Sequence, residues 1–196
     1  RSCRGEGKLK RPKHEKSEGK VLHKKAVFLI ALFCRNGGTL FMCLICDRIE
    51  MIKKGNNPYF VKELETGYVV VGDFQHFKGY TLFLCKQHRT ELFHLDKDYK
   101  LKFLEEMSIV TEAVYRAFGA NKMNCELLGN GDSHLHWHLF PRYNGDLEGY
   151  ECGKKSGPVW WYPIEKMNSP EARPSEEELD KMKKALLCEL DKLLTL

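Results

Sequence analysis

The sequence predicts an α+β fold: an antiparallel five-stranded meander sheet with one long covering helix and a carboxyl-terminal helix. Three observations lead there. Short β-rich runs follow one another between residues 59 and 84, a single stretch from Asp98 to Phe118 repeats its apolar residues at helical spacing, and a last extended run, Ser133 to Pro141, alternates large apolar residues with histidine.

In chain order, Asp47 to Lys54 reads as a short helix or turn, broken by Gly55-Asn56-Asn57-Pro58. Tyr59 to Leu64 and the valine-rich Gly67 to Gly72 are strands, Asp73 to Lys78 is a loop, and Gly79 to Leu84 is a third strand ending at Cys85-Lys86-Gln87-His88. From Asp98, the residues Leu101, Leu104, Met107, Val110 (or Thr111), Val114 and Phe118 recur at three and four, and Gly119 stands where a helix commonly stops. Met123 to Leu128 is a fourth strand, Gly129-Asn130-Gly131-Asp132 a tight turn that reads as a hairpin, and Ser133 to Pro141 the fifth strand. The last helix opens at Ser175, placed as N-cap with Glu178 completing a capping box, before a stripe of Leu179, Met182, Leu186, Leu190 and Leu193. That stripe faces either the domain's own flank or a second subunit.

At 196 residues with 42% hydrophobic content, the chain suits one soluble domain with extensions. Its formal charge of +5 is unevenly placed: residues 1–25 carry ten Lys or Arg against three Glu, which leaves the remainder at −2. The basic character therefore belongs to an amino-terminal extension, residues 1–41, poor in apolar side chains and expected to be disordered. Neither nucleic acid nor a membrane is expected as partner. The apolar run at 26–34 is too short to span a bilayer and lies too far along for a usual secretory signal. Met42, followed at once by Cys43-Leu44-Ile45-Cys46, marks the expected start of the fold. The eight cysteines are scattered without the density of a disulfide scaffold, which fits a reducing cytoplasm.

The chemistry concentrates in His134-Leu135-His136-Trp137-His138-Leu139-Phe140. On an extended backbone, residues two apart project from one face about 6.5 to 7 Å from each other, while Leu135, Trp137 and Leu139 turn into a core. A row of imidazoles suits phosphate or metal, because imidazole can be nucleophile, proton donor or ligand near neutrality. A lone histidine on a strand is usually a satisfied core or surface residue, but three in register serve neither packing nor β propensity.

This His-x-His-x-His run followed by two apolar residues resembles the signature of the histidine triad (HIT) family. The flanking Leu127-Leu128-Gly129-Asn130-Gly131-Asp132-Ser133 and Pro141-Arg142 are similar to bacterial Hint-like and dinucleoside polyphosphate hydrolase-like members. So are Tyr68 through Asp73, Gly79-Tyr80-Thr81-Leu82 and Lys86-Gln87-His88. The resemblance implies a nucleotide-binding domain over residues 42–162, followed by a linker and amphipathic helix at 163–196. It implies attack on the α-phosphate of a purine nucleotide derivative and release of a nucleoside monophosphate. His136 is then the nucleophile, His138 holds phosphate oxygens or assists the leaving group, and His134 supports the nucleophile.

By the same resemblance Asp73 accepts hydrogen bonds from ribose hydroxyls, Asn130 and Ser133 contact phosphate or leaving group, and His88 approaches the same site. Cys43-x-x-Cys46 adds a second reading: two thiolates need two further ligands for zinc, and His88 with His134 complete a Cys₂His₂ set matching the structural zinc site of some bacterial relatives. Alone, a Cys-x-x-Cys is also compatible with redox activity or simple burial. No organic cofactor is expected, and relatives pair as homodimers through the main helix and a sheet edge. A phosphorylase or nucleotidyltransferase on the same fold, and a zinc-stabilised nucleotide-binding module with little turnover, are the alternatives to a hydrolase.

Overall fold

The structure, a computed structural model, describes residues 43–148, 152 and 162–195. The chain divides into two units, Arg1–Phe41 and Met42–Leu196, and all described residues lie in the second. The expected disordered extension, with its apolar run at 26–34, therefore lies outside the described residues.

The first helix, α1 (Leu44–Lys53), starts at Cys43, whose Sγ accepts from the Cys46 backbone N–H at 3.3 Å. Ile45, Ile49 and Ile52, spaced four and three apart, bury one stripe of α1 against Tyr68, Val70, Leu82 and Leu84 of the sheet. The sheet contains β1 (Phe60–Glu63), β2 (Gly67–Val71), β3 (Thr81–Cys85), β4 (Lys122–Glu126) and β5 (His136–Arg142), all antiparallel, in the order β1-β2-β3-β5-β4. β1 to β3 form a simple meander. The crossover helix α2 (Lys97–Phe118) then carries the chain to the edge strand β4, and β5 returns into the place beside β3. β2 and β3 are buried along their whole length because both faces are covered: Val69, Val71, Phe83 and Cys85 face the helices on the side opposite α1.

Two details differ from the expectations. The apolar stripe of α2 is rotated: its buried positions are Phe103, Glu106, Val110, Ala113 and Val114, whereas Leu101 remains 55% exposed. α2 packs both on the sheet and on the last helix, so the wedge between these two surfaces, not a single stripe, sets which residues are covered. The connection before β5 is a nine-residue loop, 127–135, instead of a tight turn. Gly129 and Gly131 are not among the positive-φ glycines, so they make no left-handed hairpin turn. Leu135 bonds instead to the end of β3 and the segment after it, accepting from Cys85 N at 3.1 Å and donating to Arg89 O at 2.8 Å. β5 accordingly begins at His136, leaving Ser133 and His134 in the loop.

After the short α3 (Ile164–Met167), α4 (Glu176–Leu194) begins with the expected capping box of Ser175 and Glu178. Its stripe of Leu179, Met182, Leu186 and Leu190 is buried on the domain's own flank, against α2 and β1. Among the described residues no helix is long and apolar enough to cross a membrane.

Glu106 is the charged residue at the centre of this packing. Its carboxylate accepts from the backbone N–H groups of Glu65 and Thr66, both at 2.9 Å, and from the Thr66 hydroxyl, pinning the β1–β2 turn to α2. Truncating it leaves three buried or half-buried donors without their acceptor. Glu106→Ala is expected to cost about 3 kcal/mol in denaturant unfolding; a loss within error of zero would show that water replaces the carboxylate freely.

Candidate functional site

The alternation of β5 sorts its side chains. Trp137 and Leu139 pack toward the α2 side, and His136, His138 and Phe140 project from the other face. Opposite them in β3 stand Leu84 and Leu82, paired with His136 and His138. The expected row of three imidazoles divides here. His136 and His138 lie with ring centroids 4.6 Å apart, closer than ideal strand spacing, while His134, in the loop, turns its ring toward His88 at 4.8 Å.

His136 is buried and its Nδ1 lies 2.6 Å from the backbone oxygen of His134. A carbonyl only accepts, so Nδ1 carries a proton, and in the neutral ring the lone pair lies on Nε2. His136 and His138 line a cavity of ≈ 470 Å³ with Leu128, Asn130, Gly131 and Asp132. His138 is held by aromatic neighbours: Phe140 lies parallel at 5.9 Å, Tyr80 lies parallel at 6.0 Å, and the Tyr80 hydroxyl stands 2.6 Å from His138 Nδ1.

Burial, with the nearby His136 adding to it, pushes His138 from 6.5 down to about 3, so its ring is neutral at physiological pH. Between those two values only the unfolded chain binds the proton, so stability present above pH 6.5 is lost as the pH falls toward 3. At pH 5 the wild type should have lost about 2 kcal/mol more than His138→Gln, both referred to pH 7. Parallel declines of the two proteins in denaturant titrations would refute this burial of a neutral ring.

The second cluster joins Cys43, Cys46, His88 and His134, whose ligand atoms all lie within 4.8 Å of one another. Three separations are shorter still: Cys43 Sγ to His134 Nδ1 is 3.5 Å, Cys46 Sγ to His134 Nδ1 is 3.4 Å, and Cys46 Sγ to His88 Nδ1 is 3.1 Å. Sulfur and nitrogen ligands on one tetrahedral zinc stand about 3.6 Å apart, so the set fits that ion. His134 donates from Nε2 to Cys85 O at 2.8 Å, which directs the unprotonated Nδ1 at the sulfurs as metal ligation requires. Burial also lowers the pKa of His134, favouring the neutral ring. Burial, with the neighbouring Cys43 adding to it, pushes the Cys46 thiol up to about 11, so a cation is what would bring it to thiolate at neutral pH.

The other sequence-predicted residues fall around these two clusters. Asn130 lines the histidine cavity, whereas Ser133 opens onto a second cavity of ≈ 220 Å³ with Thr90, Glu91 and His134. His88 stands with the cysteines, away from the lining of the larger cavity. Asp73 also lies outside that lining and forms a two-pronged ion pair with Arg48 of α1, one hydrogen bond at 2.9 Å. Sequence reasoning missed Arg48, Tyr80 and Asp132, whose carboxylate accepts from Leu44 N at 3.2 Å and ties the loop to α1. For Tyr80 a signal existed: two residues before Leu82 on the same strand face, it becomes a diagonal neighbour of His138 once the pairing of β3 with β5 is known.

Residues 54–145 match the family model described as HIT domain. Among solved structures the chain is similar to a histidine triad protein from Marinobacter aquaeolei VT8, at 25% identity and TM-score 0.56, over 68% of this chain and 89% of that one. A histidine triad protein from Bradyrhizobium japonicum is 22% identical with TM-score 0.56, over 67% and 89%. A Zn-bound histidine triad family protein from Mycobacterium smegmatis is 20% identical with TM-score 0.50, over 78% and 96%. No curated protein matches.

Proposed function

From the premise that residues 54–145 form a HIT domain, we propose that the protein is a nucleotide hydrolase. It cleaves at the α-phosphate of a nucleoside phosphoramidate or dinucleoside polyphosphate and releases a nucleoside monophosphate. The observation that carries this reading is His136: a buried imidazole whose Nδ1–H is taken by the His134 carbonyl, presenting its Nε2 lone pair beside a ≈ 470 Å³ cavity. That nitrogen attacks phosphorus, a P–N bond forms, and the bond from phosphorus to the leaving amine or phosphate breaks. His138 holds the non-bridging oxygens, whose developing charge is the largest electrostatic demand of the step. Water then cleaves the nucleotidyl-histidine, returning the imidazole and yielding the monophosphate.

Asn130, on the cavity wall, is placed for the phosphate or leaving group, and Ser133 follows it on the same loop. Asp73 serves the ribose hydroxyls with the carboxylate that Arg48 orients. Cys43, Cys46, His88 and His134 would hold a structural zinc, consistent with the Zn-bound protein of the same fold; its role would be to brace the loop that carries His134, with no part in bond making. A purine nucleotide is the partner that the domain implies, and pairing into a homodimer and residence in the reducing cytoplasm belong to the same reading. The test is a panel of adenosine 5′-phosphoramidate, diadenosine tetraphosphate and ATP, followed by chromatography for AMP. AMP from the phosphoramidate or the dinucleotide supports a hydrolase; binding of all three without product would leave a nucleotide-binding module instead.

A further inference from the structure

We propose that Tyr80 is a positioning residue that locks His138 in the tautomer with its proton on Nε2, the nitrogen not engaged by Tyr80. The inference deepens the hydrolase reading and rests on it for its kinetic consequence. The Tyr80 hydroxyl lies 2.6 Å from His138 Nδ1, and only one of the two atoms can supply the proton. Burial holds both groups neutral, and a neutral phenol is the stronger donor while a neutral imidazole nitrogen is the stronger acceptor, so the phenol donates. Nδ1 is then the acceptor, and the ring hydrogen of the neutral imidazole must sit on Nε2.

The consequence is a pair of opposite tautomers on one strand face. His136, donating from Nδ1 to the His134 carbonyl, keeps a lone pair on Nε2; His138, accepting at Nδ1 from Tyr80, carries a hydrogen on Nε2. In their neutral forms one ring is thereby a nucleophile and its neighbour a hydrogen-bond donor. A donor is what the non-bridging oxygens of an α-phosphate need, and a ring in the other tautomer would present a lone pair to an anion.

Tyr80 is seated for this task by several independent contacts. Its ring stacks on Phe140 at 4.4 Å, nearly parallel, and lies against Gly72, where an added Cβ would strike the Tyr80 ring. Its carbonyl accepts from Gly72 N at 2.8 Å and from Gln75 Nε2 at 2.9 Å. The hydroxyl is therefore aimed by a rigid frame and not by a free side chain.

The experiment combines ring-nitrogen NMR of ¹⁵N-histidine-labelled protein with steady-state hydrolysis of adenosine 5′-phosphoramidate. Wild-type His138 should show the hydrogen on Nε2, a measurement that needs no variant. Tyr80→Phe keeps the ring and the stack but loses the donor: His138 should become a tautomer mixture, and kcat should fall about tenfold or more with KM changed less than about twofold. Gly72→Ala, which displaces the Tyr80 ring without removing the hydroxyl, should move both readouts the same way. The proposal is overturned if wild-type His138 carries its hydrogen on Nδ1, or if Tyr80→Phe leaves tautomer and kcat unchanged, or if it alters KM alone. Wild-type protein that hydrolyses neither the phosphoramidate nor the dinucleoside polyphosphate would defeat the hydrolase reading, and the tautomer of His138 would then decide the role of Tyr80 on its own.

Discussion

His136→Ala is expected to abolish AMP release from adenosine 5′-phosphoramidate while nucleotide binding persists. The side chain is the group with a lone pair set by its own hydrogen bond, since Nδ1 is committed to the His134 carbonyl at 2.6 Å. Alanine or glycine removes the atom that forms the covalent bond, and no neighbour replaces it: His138 Nδ1 is engaged by Tyr80 and His134 faces the cysteines. Loss of a nucleophile of this type costs at least about 10³-fold in kcat. Binding is carried by other contacts in a cavity also lined by Leu128, Asn130 and Asp132, so AMP affinity by calorimetry should change by less than about fivefold, under 1 kcal/mol. Near wild-type turnover by His136→Ala would remove the covalent mechanism altogether.

The second large effect is expected at the cysteine–histidine cluster. Cys46→Ser, or exhaustive chelation, should remove one zinc per chain and lower stability by about 4 kcal/mol, the linkage expected for a metal present at a thousand times its Kd. Cys46 is the member closest to both histidines, at 3.1 Å from His88 Nδ1 and 3.4 Å from His134 Nδ1, so its loss opens two edges of the tetrahedron. The damage should also reach the nucleophile. His134 supplies the cluster with its ring and orients His136 with its backbone carbonyl, so loosening the one loosens the other. Elemental analysis and calorimetric melting read the metal and the stability without reference to activity. Protein purified without chelators that holds no zinc, and melts alike with and without added zinc, would dispose of the site.

Much of the fold could be read residue by residue. The capping box at Ser175, the leucine stripe behind it and the left-handed stop at Gly119 depend on local chemistry, and each stands where the pattern puts it. The rotation of α2 could not be read, because Leu101 and Phe103 are both apolar and which one is covered depends on how α2 settles on the sheet, where Phe103 stacks on Phe83 at 5.1 Å. The loop 127–135 misled for a similar reason. Its glycines signal a tight turn, but Leu135 finds backbone partners at Cys85 and Arg89, residues remote in sequence, and that competition draws the loop out.

The histidine spacing of two is a local property of an extended chain, and it suffices to put His136 and His138 on one face with Trp137 and Leu139 on the other. Likewise Cys43 and Cys46, three apart at a helix start, are bound to be neighbours. What no local pattern contains is the division of labour among the histidines. It follows from the insertion of β5 beside β3, which sets Tyr80 against His138, and from the loop that swings His134 toward α1 and His88. Those contacts join residues 42 to 91 positions apart. Spacing along the chain decides which groups share a face, but the protons on the His134 and His138 rings are placed by Cys85 and Tyr80, 49 and 58 positions away, which the folded chain brings within about 3 Å.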